Sequence, residues 1–159
     1  MENQPEEEDE ERVEDVMAKN VVTIDRKATV KDGASQMARR KCSCLVVLQG
    51  DYALGIATER DLVRKILAAG VDPSKVLMSD VMSTPLITIG PEATVSEAAE
   101  KMSEYLIRRL VVVDDDGALV GLITAGDIAK LLARKKEFSD SALNALARMK
   151  KDGTGGPYG

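Results

Sequence analysis

Apolar and polar positions along this chain fall into a fixed order of runs, and the order is written twice. A short apolar stretch, Val21 to Ile24, leads through a polar turn into a segment with apolar residues at helical spacing, Val30, Ala34 and Met37. An all-apolar run follows, Leu45-Val46-Val47-Leu48, and after a Gly-Asp turn comes a second extended segment, Tyr52 to Thr58. These two segments predict neighbouring strands of a hairpin. From Glu59 to Ala69 the spacing predicts a second helix presenting Leu62, Ile66 and Leu67 on one face. The same sequence of elements then recurs: a strand from Leu86 to Ile89, a helix carrying Val95, Ala98, Ala99 and Met102, strands at Leu110-Val111-Val112 and Ala118 to Thr124, and a helix from Gly126 to Lys135 with Ile128, Leu131 and Leu132 aligned.

Laid on itself with a shift of 65, the chain pairs Asp15-Val16-Met17 with Asp80-Val81-Met82, Ala28-Thr29-Val30 with Ala93-Thr94-Val95, and Leu45-Val46-Val47 with Leu110-Val111-Val112. One extra residue in the turn Asp114-Asp115-Asp116-Gly117 moves the shift to 66, so that Gly55, Thr58 and Asp61 fall on Gly121, Thr124 and Asp127. An insertion confined to a turn marks a duplicated structural unit. The repeat therefore predicts an α+β protein of two β-α-β-β-α units, residues 12–70 and 71–136. A unit of about 60 residues is marginal alone, and two burying their faces together make a more stable domain.

The ends read differently. Residues 1–11 are acidic, with no apolar residue after Met1 to anchor them, and are expected to form a solvated, disordered tail. Residues 137–159 begin with a segment that Ser139 can cap, with Leu143, Leu146 and Met149 at helical spacing, and finish in a glycine-rich, flexible run.

Composition narrows the chemistry. The net charge of -5 argues against a surface dedicated to nucleic acid, despite the basic residues Arg134, Lys135, Lys136 and Arg148 to Lys151. With no apolar run long enough for a membrane span or leader peptide, a cytoplasmic location is expected. Histidine is absent, which removes the commonest general base and the commonest metal ligand together. Cys42 and Cys44 sit too close for an ordinary disulfide with each other and cannot by themselves complete a zinc site. The turn at Asp114 to Gly117 lacks the later ligands of a calcium loop. No catalytic set and no resident metal are expected.

What remains is the stretch that both copies share, Gly-x-x-Thr-x-x-Asp, where a strand runs into a helix. Thr58 and Thr124 suit helix capping, and Asp61 and Asp127 lie in the first turn, where the helix dipole favours negative charge. The same groups suit a ligand: a carboxylate accepts two hydrogen bonds from a ribose diol, and a helix N-terminus suits phosphate.

The ordered set Asp-Val-Met, Thr-Ile, Ala-Thr-Val, Leu-Val-Val and Gly-x-x-Thr-x-x-Asp, present twice in register, resembles a tandem pair of cystathionine-β-synthase (CBS) domains, the pseudo-two-fold arrangement called a Bateman module. The resemblance covers about 120 residues. It implies a regulator that binds AMP, ADP or ATP, or alternatively S-adenosylmethionine, in clefts between the units, forms homodimers and signals to a protein partner. A ligand-free dimerisation or scaffolding module is the competing expectation.

By that resemblance Asp127 and Asp61 hold ribose, and Thr124 and Thr58 face phosphate. Arg109, and second Arg108, reach phosphate before the second Leu-Val-Val; the first copy has Ser43 and Cys44 there, and Arg60 offers a substitute charge. The resemblance also implies adenine walls borrowed from the opposite unit, Val22, Cys42, Ser43 and Cys44 for the Asp127 cleft and Ile87 and Ile107 for the Asp61 cleft. These residues serve equally as ordinary core.

Overall fold

A computed structural model of the protein describes residues 10–135 and 140–151. In chain order its elements are α1 (Val13–Val16), β1 (Thr23–Asp25), α2 (Val30–Arg40), β2 (Cys44–Gln49), β3 (Tyr52–Thr58), α3 (Glu59–Leu62), α4 (Met78–Val81), β4 (Thr88–Ile89), α5 (Val95–Tyr105), β5 (Arg109–Val113), β6 (Leu119–Thr124), α6 (Ala125–Arg134) and α7 (Asp140–Lys151). A π-helical turn, Val63–Leu67, prolongs α3. Two three-stranded sheets result, ordered β1-β2-β3 and β4-β5-β6. In each the first pair is parallel and the second antiparallel. Ser139 and the glycine-rich end, like most of the acidic run, lie outside the described residues.

Local signals account for the helix starts. Thr29 and Thr94 accept from the backbone N–H groups of Asp32 and Glu97 at 3.2 and 3.1 Å, so each Ala-Thr-Val places a cap beside a valine that is buried. In Asp-Val-Met, Asp15 and Asp80 accept from the N–H groups of Arg12 and Leu77 and close one-turn helices.

The middle strands of the sheets are apolar through their centres, Leu45 to Leu48 and Leu110 to Val113, because both faces are covered there. Leu45 and Val47 point into a core with Ile24, Val30, Met37, Ala57, Ile66, Met78 and Val81. Val46 and Ile56 point the other way, into the larger core built on Leu110, Val111, Val112, Ile123 and Ile128 of the second unit. Burial on two sides removes the polar alternation of a half-exposed strand, and each such side chain contributes roughly 1.5–3 kcal/mol.

The units also exchange segments. Helix α1 belongs to the second core through Val13, and Ala18 pairs with Leu122 on the edge of β6 in both directions, at 2.9 and 3.0 Å. Reciprocally, Met78 and Val81 of α4 belong to the first core, and the Ser83 N–H donates to the Ile56 carbonyl at 2.8 Å on the edge of β3. Each unit is thus entered by a segment seated on the other. The reciprocity gives the pair its approximate two-fold relation.

Three details differ from the sequence expectations. The parallel strands are shorter than their apolar runs, since β1 starts at Thr23 and β4 at Thr88; the preceding residues carry the chain from one unit to the other. Leu67, expected on the apolar face of its helix, is 76% exposed. There the hydrogen-bond ladder widens, with the Ala68 N–H bonded to the Val63 carbonyl at 2.8 Å, and the wider turn leaves Leu67 outside the buried stripe that Ile66 occupies. Finally, the expected helix forms as α7 against α5, but its buried contacts are Ala142 and Ala145, while Leu146 and Met149 of the expected stripe are only partly buried on the second core.

Candidate functional site

The strand-to-helix junctions at Thr58 and Thr124 repeat one geometry. Asp127 Oδ2 accepts from the Thr124 N–H and hydroxyl, both at 2.9 Å, while the Asp127 N–H donates back to Thr124 Oγ1 at 3.1 Å. In the first unit Asp61 Oδ2 accepts from the Thr58 N–H at 2.9 Å and its hydroxyl at 3.2 Å, and the Asp61 N–H donates to Thr58 Oγ1 at 3.3 Å. These are reciprocal caps. In both units one carboxylate oxygen is committed to the cap, and the environments diverge at the other.

Asp61 Oδ1 accepts from the Ser83 hydroxyl at 3.3 Å and forms a salt bridge with Lys65 Nζ at 3.0 Å. The ammonium also donates to the Val81 carbonyl at 2.8 Å, and Asp61 is only 7% exposed. For Asp127 Oδ1 no hydrogen-bond donor is found among the described residues, and Asp127 is half-buried. Gly-x-x-Thr-x-x-Asp does not single out Ser83 or Lys65. The signal lies in what the copies do not share, since Ser83 falls on Ala18 and Lys65 on Leu131.

The glycine of the motif has a role of its own. A Cβ on Gly55 would lie 2.8 Å from the Ser83 carbonyl oxygen, and one on Gly121 would collide with Met17 Sδ and stand 3.0 Å from the Ala18 carbonyl oxygen. Only glycine lets the exchanged segment cross the strand at this depth.

Arg109 opens β5 directly across from Thr124 in the antiparallel register. Its guanidinium reaches the other unit, where Nη2 donates to Ser43 Oγ at 3.1 Å and the positive charge lies close enough to act on the Cys44 thiol. Burial pushes the Cys44 thiol above its ordinary value, an effect that the Arg109 charge opposes and the neighbouring Cys42 reinforces. At neutral pH the Cys44 thiol therefore stays protonated and is a poor nucleophile.

The structure accordingly brings Thr124, Asp127 and Arg109 of the second unit beside Ser43 and Cys44 of the first. Arg108 is exposed, and its carbonyl accepts from the Ala125 N–H at 2.9 Å. Arg60 is half-buried in the first turn of α3. Val22 and Cys42 pack partly buried on the first core and Ile87 on the second, whereas Ile107 has no exposed surface and is core. No group of three or more His, Cys, Asp or Glu side chains placed to hold a metal ion occurs among the described residues, and no helix among them is long and apolar enough to cross a membrane.

The family model for the CBS domain matches residues 13–68 and again 78–134. The chain belongs to the CBS domain family. As a CBS pair it is 37% identical over 120 residues to the protein MK0525 of Methanopyrus kandleri, an alignment covering 75% of this chain and 61% of that one, so that the chain spans about three fifths of that relative's length. Among solved structures, the CBS domain protein PAE2072 of Pyrobaculum aerophilum, complexed with AMP, superposes with a TM-score of 0.69 at 26% identity, covering 86% of this chain and 98% of that one. The CBS domain pair of protein MJ0100, in complex with 5′-methylthioadenosine and S-adenosyl-L-methionine, gives 0.71 at 27% identity, covering 80% and 99%. The two halves matched by the family model meet where Arg109 touches Ser43.

Proposed function

We propose that this CBS pair is a regulatory module that binds an adenosine-containing ligand at the junction of Thr124, Asp127 and Arg109. The observation that carries this is the Asp127 carboxylate: its Oδ2 is fixed by the cap, and its Oδ1 is left for a ribose hydroxyl. Arg109, across the strand pair from Thr124, supplies a guanidinium fork for phosphate oxygens. The half-buried Val22, Cys42 and Cys44 provide an apolar wall against which a flat base can lie. Complexes of similar CBS proteins with AMP and with S-adenosyl-L-methionine support the ligand class.

Because the site spans two units, a ligand that pulls Arg109 away from Ser43 alters the contact between them. That is how binding is transmitted to a partner protein: a ligand shifts an equilibrium between two states by its differential affinity for them. The preferred ligands are AMP, ADP or ATP, whose phosphates use Arg109. A sulfonium nucleoside such as S-adenosylmethionine is the second reading, supported by the MJ0100 complex, and has no phosphate for Arg109 to meet. In either case the module acts as a regulator and not as a catalyst, and associates as a homodimer.

Calorimetric titration with AMP, ADP, ATP and S-adenosylmethionine separates these readings. Asp127→Asn, which keeps the cap's shape, is expected to weaken every adenosine ligand by about 10- to 100-fold, the worth of one or two charge-assisted hydrogen bonds. Arg109→Ala is expected to weaken the phosphorylated ligands and spare S-adenosylmethionine. Absence of binding by all four at millimolar concentration would leave a scaffolding module as the function.

A further inference from the structure

The two carboxylates that the repeat makes equivalent are not equivalent in their surroundings. Both oxygens of Asp61 are engaged by the chain itself: Oδ2 by Thr58, and Oδ1 by the Ser83 hydroxyl at 3.3 Å and the Lys65 ammonium at 3.0 Å. Lys65 is further held by the Val81 carbonyl at 2.8 Å, so the ammonium ties the α3 junction to the end of α4. At the corresponding places around Asp127 stand Ala18 and Leu131, neither of which has a side-chain donor.

We infer that Ser83 and Lys65 close the first cleft, so that the module takes one adenosine ligand per chain, at Asp127. The inference rests on the ligand reading above and deepens it. A hydroxyl and an ammonium occupy the Asp61 oxygen that a ribose diol would use. For ribose to enter, a charge-assisted bond to a nearly buried carboxylate must be exchanged for neutral ones, and the displaced ammonium must also give up the Val81 carbonyl. Asp127 imposes no such exchange, because its Oδ1 meets no donor among the described residues. The duplicated motif is thus divided in labour: one copy is a clasp that fastens the exchanged segment, the other is the ligand site. Ser83 and Lys65 are the residues that hold the first copy closed.

Titration calorimetry with AMP reads the stoichiometry directly. The unaltered chain is expected to bind one equivalent, and Asp61→Asn to leave the AMP affinity within about twofold, while Asp127→Asn weakens it severely. A Lys65→Leu, Ser83→Ala double variant, which gives the first unit the residues of the second, is expected to bind two equivalents. Two equivalents on the unaltered chain, or an Asp61→Asn loss matching that of Asp127→Asn, would overturn the inference while leaving the ligand reading intact. A folded double variant that still binds one equivalent would remove Ser83 and Lys65 as the closing residues. Failure of every form of the protein to bind AMP or the other adenosine ligands would instead overturn the ligand reading, and this inference with it.

Discussion

At the scale of single residues, the shared motif is a set of steric and hydrogen-bonding requirements that local sequence states compactly. Threonine and aspartate three apart close a reciprocal cap, which is why the junctions at Thr58 and Thr124 have the same shape although Ser83 and Lys65 engage the second carboxylate oxygen only at Asp61. Glycine is needed three residues before each threonine for a non-local reason, the passage of a backbone segment overhead. Gly121→Ala is therefore expected to destabilise the protein by about 1–3 kcal/mol, the usual cost of overpacking, because the Ala18 carbonyl it would press upon is backbone and cannot rotate away. Urea unfolding checks this. An unchanged slope with a lowered midpoint is the expected result, and a midpoint equal to that of the unaltered chain would show that the crossing segment yields freely.

At the scale of elements, helical periodicity located every long helix but did not determine which of its apolar residues are covered. Ile66 and Leu67 are adjacent in the stretch after Asp61, yet the first is buried against Met37 and Val47 in the same core and the second is the most exposed of the large apolar residues described. The widened turn makes the difference, and nothing in the apolar spacing announces it. Ile66→Ala is expected to cost about 2–5 kcal/mol and Leu67→Ala less than about 0.5 kcal/mol, measured by chemical denaturation. Comparable losses at both positions would mean that Leu67 is covered in solution. The middle strands were more legible, since a run of Leu-Val-Val has no polar alternation and requires cover on both faces, which the two cores provide.

At the scale of the whole molecule, the two units are bound by what they exchange and by what overlies them. The C-terminal helix α7 packs on α5 through Ala142 and Ala145, small residues that allow close approach to the second core. At the corresponding place after the first unit there is only a single 3-10 turn, Pro73–Lys75, set against α2. Ala145→Glu is expected to lower stability by more than about 2 kcal/mol through burial of an unpaired charge, with loss of hydrogen-exchange protection in α7 and α5. Protection lost in α7 alone, at unchanged global stability, would show that the helix is an appendage and not part of the second core.

The sequence by itself determined what is local or repeated: the duplication, the order of strands and long helices, the caps at Thr58 and Thr124, and the buried middle strands. Each depends on spacing between near neighbours, which one copy states and the other confirms. Tertiary structure alone decided which unit each entry segment joins. Asp15-Val16-Met17 and Asp80-Val81-Met82 are the same three residue types, so side-chain chemistry cannot distinguish one seat from the other; contacts far apart in the chain select it. That selection in turn brings Ser83 to Asp61 and Ala18 to the opposite junction, and so makes two like carboxylates unlike.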